Sequence, residues 1–217
     1  ILAALEKSGQ WEDLHAPPES FLLGAEESHG VLLTPEIRDK DAAGAALALA
    51  ELNASLRARG RTMLEELDAI YARFGYVANH LVNTVMTGSV GLQRIRAIQD
   101  SLRKDPPQEI AGSAVIEFED MADPEGRLGP LKSGTDAASR NVLQFRLDDN
   151  SRVVIRPSGT EPKNKLYIEV PGRTPPAEDL SPSELAAERE RCNLRAVDLG
   201  RAFEVLMLSR VGIELPA

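Results

Sequence analysis

Residues 156–166 read Arg-Pro-Ser-Gly-Thr-Glu-Pro-Lys-Asn-Lys-Leu, and their side chains suit one task, the capture of a phosphate dianion. Arg156 offers a planar fork matched to phosphate oxygens. Ser158 and Thr160 add hydroxyl donors. Gly159 permits a tight turn that brings the Gly159 and Thr160 amides toward a ligand. Lys163 and Lys165 add positive charge to a chain whose formal net charge is −9. Pro157 biases Arg156 toward extended backbone, and the preceding Val153-Val154-Ile155 reads as a buried strand. The plainer reading is a polar hairpin turn. The density of donors, nearly all of one kind, favours the phosphate reading.

A second group lies near the start. Glu26-Glu27-Ser28 sits between Gly24 and Gly30 and between two apolar runs, Phe21–Leu23 and Val31–Leu33, which read as short strands. Carboxylates accept hydrogen bonds from vicinal hydroxyls, so a polyol or sugar is a natural partner. An exposed acidic turn is the equal alternative on local sequence. Arg38-Asp39-Lys40-Asp41 comes third. Asp41 reads as a helix cap, whereas Lys40 beside a sugar hydroxyl would bind phosphate or assist proton transfer. Together these groups describe a ligand with hydroxyls at one end and phosphate at the other, a sugar phosphate.

Composition narrows the partners. The acidic balance argues against non-specific binding to nucleic acid or anionic membrane. No apolar run approaches the length of a membrane span, and no signal-peptide pattern opens the chain. Cys192 is the lone cysteine, and no Cys/His cluster suggests a metal. A cytoplasmic protein is expected. With 217 residues, 42% of them apolar, one large or two small domains fit. The chain begins at Ile1, so it is expected to be part of a longer polypeptide.

The positioning elements follow from periodicity and caps. Asp41 caps a helix that runs to Arg59 with an apolar stripe of Ala45, Leu49, Leu52 and Leu56 facing inward. Thr62 with Glu65 forms a capping box for a helix burying Leu64, Leu67 and Tyr71. Residues 76–88 read as a strand and connection. A helix over 90–103 turns Leu92, Ile95, Ile98 and Leu102 inward. Strands are expected at Ala114–Phe118, Asn141–Leu147, Arg152–Arg156 and Lys165–Val170, with a turn at Asp148-Asp149-Asn150 and a surface loop over 119–139. Ser181 with Glu184 caps a last helix burying Cys192, Ala196, Leu199, Phe203 and Leu206. The expected fold is a partial α/β domain over 1–75, then an α+β domain over 76–217 with an antiparallel sheet covered by helices.

These residues carry a family resemblance. Arg156-Pro-Ser-Gly-Thr-Glu-Pro-Lys163 resembles the phosphate-binding loop in the last domain of the α-D-phosphohexomutases, the phosphoglucomutases and phosphomannomutases. Gly24-Ala-Glu-Glu-Ser28 resembles their sugar-recognition loop, in the third of four domains. Ile37-Arg-Asp-Lys-Asp41 and the stretch Leu67 to Tyr76 resemble later parts of that third domain. The resemblance implies that Glu26 and Ser28 meet the sugar hydroxyls and that Lys40 lies beside the reacting sugar. It implies that Arg156, Ser158, Gly159, Thr160 and Lys165 hold the phosphate that is not transferred. His29 stands in the order Ser-His-Gly, where members with Ser-Gly-His place their histidine one residue later, so two readings stand level: that histidine, or a neutral aromatic group at the cleft edge.

The family's phosphoryl transfer uses a phosphoserine loop of the Ser/Thr-Ala-Ser-His-Asn type and an Asp-Gly-Asp-x-Asp-Arg magnesium loop. Neither occurs in this sequence. The resemblance thus implies Mg2+ and a hexose bisphosphate for a full-length enzyme, with none bound by residues of this chain. The missing N-terminal domains of the same polypeptide are its expected partner. Interconversion of glucose 1-phosphate and glucose 6-phosphate is the favoured activity, with the chain inactive alone. The alternative is a free-standing sugar-phosphate-binding module without catalysis.

Overall fold

The computed structural model describes residues 21–25, 30–34, 36, 40–159, 161–172 and 181–215. The chain divides into two compact units, Ile1–Leu67 and Asp68–Ala217.

In the first unit, β1 (Gly24–Ala25) and β2 (Val31–Leu32) form an antiparallel hairpin. The expected strand at Phe21–Leu23 is not formed; Leu22 is 88% exposed. Helix α1 (Ala42–Ala58) starts where expected, because the Asp41 carboxylate accepts the amides of Ala43 and Gly44. The Asp41 amide in turn donates to Val31 O at 3.0 Å, tying the helix start to the hairpin. Helix α2 (Met63–Phe74) opens on the predicted capping box: Thr62 N–H donates to Glu65 Oε2 at 2.7 Å and Glu65 N–H to Thr62 Oγ1 at 3.2 Å. The expected apolar stripe is only partly inward, with Ala45 half-buried. Leu56 is fully buried, whereas Leu49 and Leu52 are exposed, as are Leu64 and Leu67. The described part of this unit offers these faces nothing to pack against.

The later turns of α2 belong to the second unit. Tyr71 and Tyr76 meet edge to face at 4.9 Å, and Arg189 lies over both rings while pairing with Asp68 at 2.8 Å. The unit is built on a sheet of six antiparallel strands in the order β3-β8-β7-β6-β5-β4. These are β3 (Val77–Val85), β4 (Glu109–Ile110), β5 (Ser113–Asp120), β6 (Leu143–Leu147), β7 (Arg152–Pro157) and β8 (Lys163–Pro171). Helix α3 (Gly88–Lys104) follows β3, the short α4 (Gly134–Ser139) precedes β6, and α5 (Pro182–Ser209) ends the unit. This is the expected α+β arrangement. Strict alternation in β8 sorts its faces: Asn164, Leu166, Ile168 and Val170 are buried, and Lys163, Lys165, Tyr167 and Glu169 point the other way.

The core lies between the buried face and the two long helices. Ile95, Ile98 and Leu102 of α3 and Cys192, Ala196, Leu199 and Phe203 of α5 join it as expected, and Leu206 packs at its margin. Phe145 is fully buried between Phe118 and Phe203, with ring centroids at 5.1 and 5.3 Å. The predicted turn is present, with Asn150 at φ 63°, and so is the Ser181–Glu184 capping box. Arg195 of α5 clasps the far end of the sheet. Its guanidinium donates to Asp149 Oδ2, to Ser113 Oγ at 2.6 Å and to Ala111 O at 3.0 Å.

Residues 119–139 are not simply a surface loop. They contain α4, and Arg140 orders the stretch by pairing with Asp136 at 2.6 Å and donating to Leu128 O and Gly129 O. One buried group is out of keeping with the core. Asn164 has no exposed surface, and neither Oδ1 nor Nδ2 has a partner. An unpaired buried polar group costs about 1–3 kcal/mol. Asn164→Leu, close in size, is therefore expected to stabilise the unit by about that amount, read as a higher denaturant midpoint at unchanged slope.

Candidate functional site

Strand β7 delivers Arg156 and strand β8 delivers Lys165. The register sets them directly opposite one another, on the face of the sheet away from the helices. Alternation explains the placement, since Ile155 and Leu166 next to them are fully buried. Like charges facing each other across two strands are unfavourable by a few tenths to about 1 kcal/mol. Arg146 and Arg152 face each other in the same way across β6 and β7, but each has a carboxylate partner: Arg152 pairs with Glu169 at 2.5 Å and Arg146 with Glu117 at 2.6 Å. Among the described residues no carboxylate pairs with Arg156.

The connection from β7 to β8 turns at Ser158–Pro162. Ser158 N–H donates to Lys163 O at 2.9 Å, and Ser158 Oγ accepts the Glu161 amide at 3.3 Å. The Ser158 amide is thus used by the fold, while its hydroxyl proton is left to donate outward. Gly159 departs from expectation. Its φ is not in the left-handed region, and a Cβ there would meet nothing within 4 Å. The turn does not require glycine. What the missing side chain provides is open access to the backbone at an exposed point, which suits close approach of a ligand.

A cleft of about 270 Å³ opens at this loop, lined by Ser158, Gly159, Glu161 and Pro162 on one side and Gly88 and Leu92 of α3 on the other. Thr87 precedes α3 without a side-chain cap, so the first amides of the helix have no capping partner. Met86 N–H donates to Pro162 O at 2.8 Å and fastens the loop to the β3–α3 connection. Leu92, expected in the core, instead forms the cleft wall and is 46% exposed. Glu161, which no role was expected to fall on, also lines the cleft. It pairs with Lys163 at 2.7 Å, and this ammonium, with a smaller contribution from Lys165, holds its carboxyl below the usual range. The signal for this pair was present in the sequence as the two-residue spacing of Glu161 and Lys163.

Of the expected site residues, Arg156, Ser158, Gly159 and Lys165 are brought together on this hairpin. Thr160, Glu26 and Ser28 lie outside the described residues, as does His29. Lys40 belongs to the first unit, where it is exposed just before the α1 cap. Among the described residues no group of three or more His, Cys, Asp or Glu side chains is arranged to hold a metal ion, and no helix is long and apolar enough to cross a membrane.

Residues 82–185 match the family described as phosphoglucomutase/phosphomannomutase, C-terminal domain. A phosphoglucomutase of Staphylococcus aureus strain MRSA252 is 34% identical over 154 residues, covering 69% of this chain and 27% of the relative. A probable phosphomannomutase of Haemophilus influenzae is 36% identical over 157 residues, covering 71% and 29%. The chain therefore spans under a third of the length of these curated relatives. A solved open-form structure of parafusin, a Paramecium phosphoglucomutase, is similar at 18% identity and a TM-score of 0.48, covering 90% of this chain and 32% of that one.

Proposed function

Because this chain belongs to the phosphoglucomutase/phosphomannomutase family through its C-terminal domain, we propose that its hairpin at Arg156–Lys165 holds the phosphate of a hexose phosphate that is not being transferred. Arg156 and Lys165 supply charge, Ser158 a hydroxyl, Gly159 and Thr160 their amides. The observation that carries the reading is the opposed pair Arg156 and Lys165, set side by side by the strand register, with no carboxylate on Arg156 among the described residues. A phosphate dianion between them would turn a repulsive contact into an attractive one.

In this reading residues 1–75 are the C-terminal part of the sugar-recognition domain and residues 76–217 the phosphate-binding domain. Glu26 and Ser28 accept and donate to the sugar hydroxyls, and Lys40 lies beside the reacting end. The whole protein moves a phosphoryl group between C1 and C6 of a hexose phosphate in the cytoplasm, with glucose 1-phosphate and glucose 6-phosphate as the favoured pair. Magnesium and a hexose bisphosphate would serve that protein through residues outside this sequence, and the described residues here do not fit a metal. Positioning is what this chain contributes, and in phosphoryl transfer positioning needs charge stabilisation at the moving group to become catalysis.

The purified chain, mixed with glucose 1-phosphate, glucose 1,6-bisphosphate and magnesium, is therefore expected to form no glucose 6-phosphate in a coupled assay. Sustained turnover above a boiled control would overturn the division of labour proposed here.

A further inference from the structure

We infer that Lys163 is a positioning residue that keeps the Glu161 carboxylate from competing with the anion bound by Arg156 and Lys165. The inference rests on the phosphate reading of this hairpin and adds to it a second task, the neutralisation of the loop's own charge.

Glu161 lines the same cleft as Ser158 and Gly159, so an uncompensated carboxylate there would repel any anion entering it. The groups that face it are few. Among the described residues the charges acting on it are Lys163 and Lys165 of β8; the α3 side of the cleft presents Gly88 and Leu92, which carry no charge. Lys163 is bound to Glu161 twice over. Its amide donates to Glu161 O at 2.8 Å and its ammonium reaches Glu161 Oε2 at 2.7 Å. Its carbonyl accepts the Ser158 amide, which fixes the start of the turn. The three cations of the hairpin are thus divided: one is committed to the loop's carboxylate and two are left for a ligand. Without Lys163, the nearest remaining cation for Glu161 is Lys165, already its secondary charge partner. The carboxylate would then occupy a group the ligand needs.

The test is calorimetric titration of sulfate, which stays a dianion between about pH 4 and 6.5, a range that spans the ordinary titration of a glutamate. The full chain, Lys163→Met, Glu161→Gln and the double variant are compared. The unaltered chain is expected to bind with little change across this range. Lys163→Met should bind about tenfold more weakly at pH 6.5, as one uncompensated charge in a solvated cleft implies. It should recover toward the unaltered chain at pH 4, because Glu161, released from Lys163, titrates upward into that range and loses its charge. Glu161→Gln and the double variant should both bind at least as tightly as the unaltered chain at every pH. Unchanged affinity in Lys163→Met at pH 6.5 would overturn the inference. So would weak binding that neither acid nor Glu161→Gln relieves, since that marks lost turn structure or a direct contact by Lys163. If the unaltered chain binds neither sulfate nor inorganic phosphate, the phosphate reading fails first and this inference with it.

Discussion

Alanine at position 91 is expected to destabilise the second unit by about 3 kcal/mol or more, although it replaces a glycine inside a helix. In an open helix the same change would stabilise by up to about 1 kcal/mol. Here the sign reverses, because a Cβ on Gly91 would lie 2.0 Å from Met86 O and 2.3 Å from Met86 C. These are backbone atoms of the connection that leads into α3, and they cannot rotate away as a side chain would. Gly91 is buried, as is Met86, so relief requires moving either the connection or the helix, and overpacking of this kind costs about 1–3 kcal/mol or more. The expected fall in thermal midpoint is on the order of 10 °C for a unit of this size. The damage should also reach the proposed anion site, because the Met86 amide holds Pro162 O. Gly91→Ala should therefore weaken phosphate binding at temperatures where it is still folded. A midpoint equal to or above that of the unaltered chain would refute the close approach.

Arg156→Ala is expected to weaken inorganic phosphate binding by about a hundredfold, from the loss of charge-assisted hydrogen bonds worth roughly 3 kcal/mol together. The same substitution should leave the free chain as stable as before or slightly more so. Arg156 is exposed, has no carboxylate partner among the described residues, and faces Lys165 across the strands. Removing it relieves repulsion worth a few tenths of a kcal/mol to about 1 kcal/mol. The two effects are separable by thermal melts with and without phosphate. The unaltered chain should gain stability with ligand by mass action, and the variant should start level or higher and gain little. A variant that melts earlier without ligand would make Arg156 a structural residue, and equal gains in both proteins would remove it from the site.

The gathering of Arg156, Ser158, Gly159 and Lys165 on one hairpin was legible in the sequence because it is local. Arg156, Ser158, Gly159 and Lys165 are neighbours in the chain, and a strand–turn–strand unit converts that spacing into shared position. The side-chain caps at Asp41, Thr62 and Ser181 were legible for the same reason, each being a contact within a few residues. The opposite wall of the cleft was not. Leu92 keeps step with Ile95, Ile98 and Leu102, so periodicity assigns it to the core, but near the start of α3 it lines the cleft and stays exposed. Leu49 and Leu52 show the other limit of periodicity. It identifies the face a helix is built to bury, not whether the burying surface is at hand. Gly159 itself does not adopt a left-handed φ, so the conformational reason expected for it does not apply, and open access to its backbone is what its missing side chain provides. Short β4 and α4 escaped because two and six residues carry too little pattern to read.

The Arg195 clasp has a kinetic meaning. Its guanidinium joins partners 46, 82 and 84 positions earlier in the chain, so the entropy of closing long loops must be met before the bonds can form. Such a contact is poorly suited to starting the folding of the sheet and well suited to finishing it. It secures the two far turns only after α5 has been laid across the strands. Interactions made that late act mainly on the rate of unfolding, which makes Arg195 a latch on the finished unit and gives the last helix control over how long the Arg156–Lys165 hairpin stays assembled.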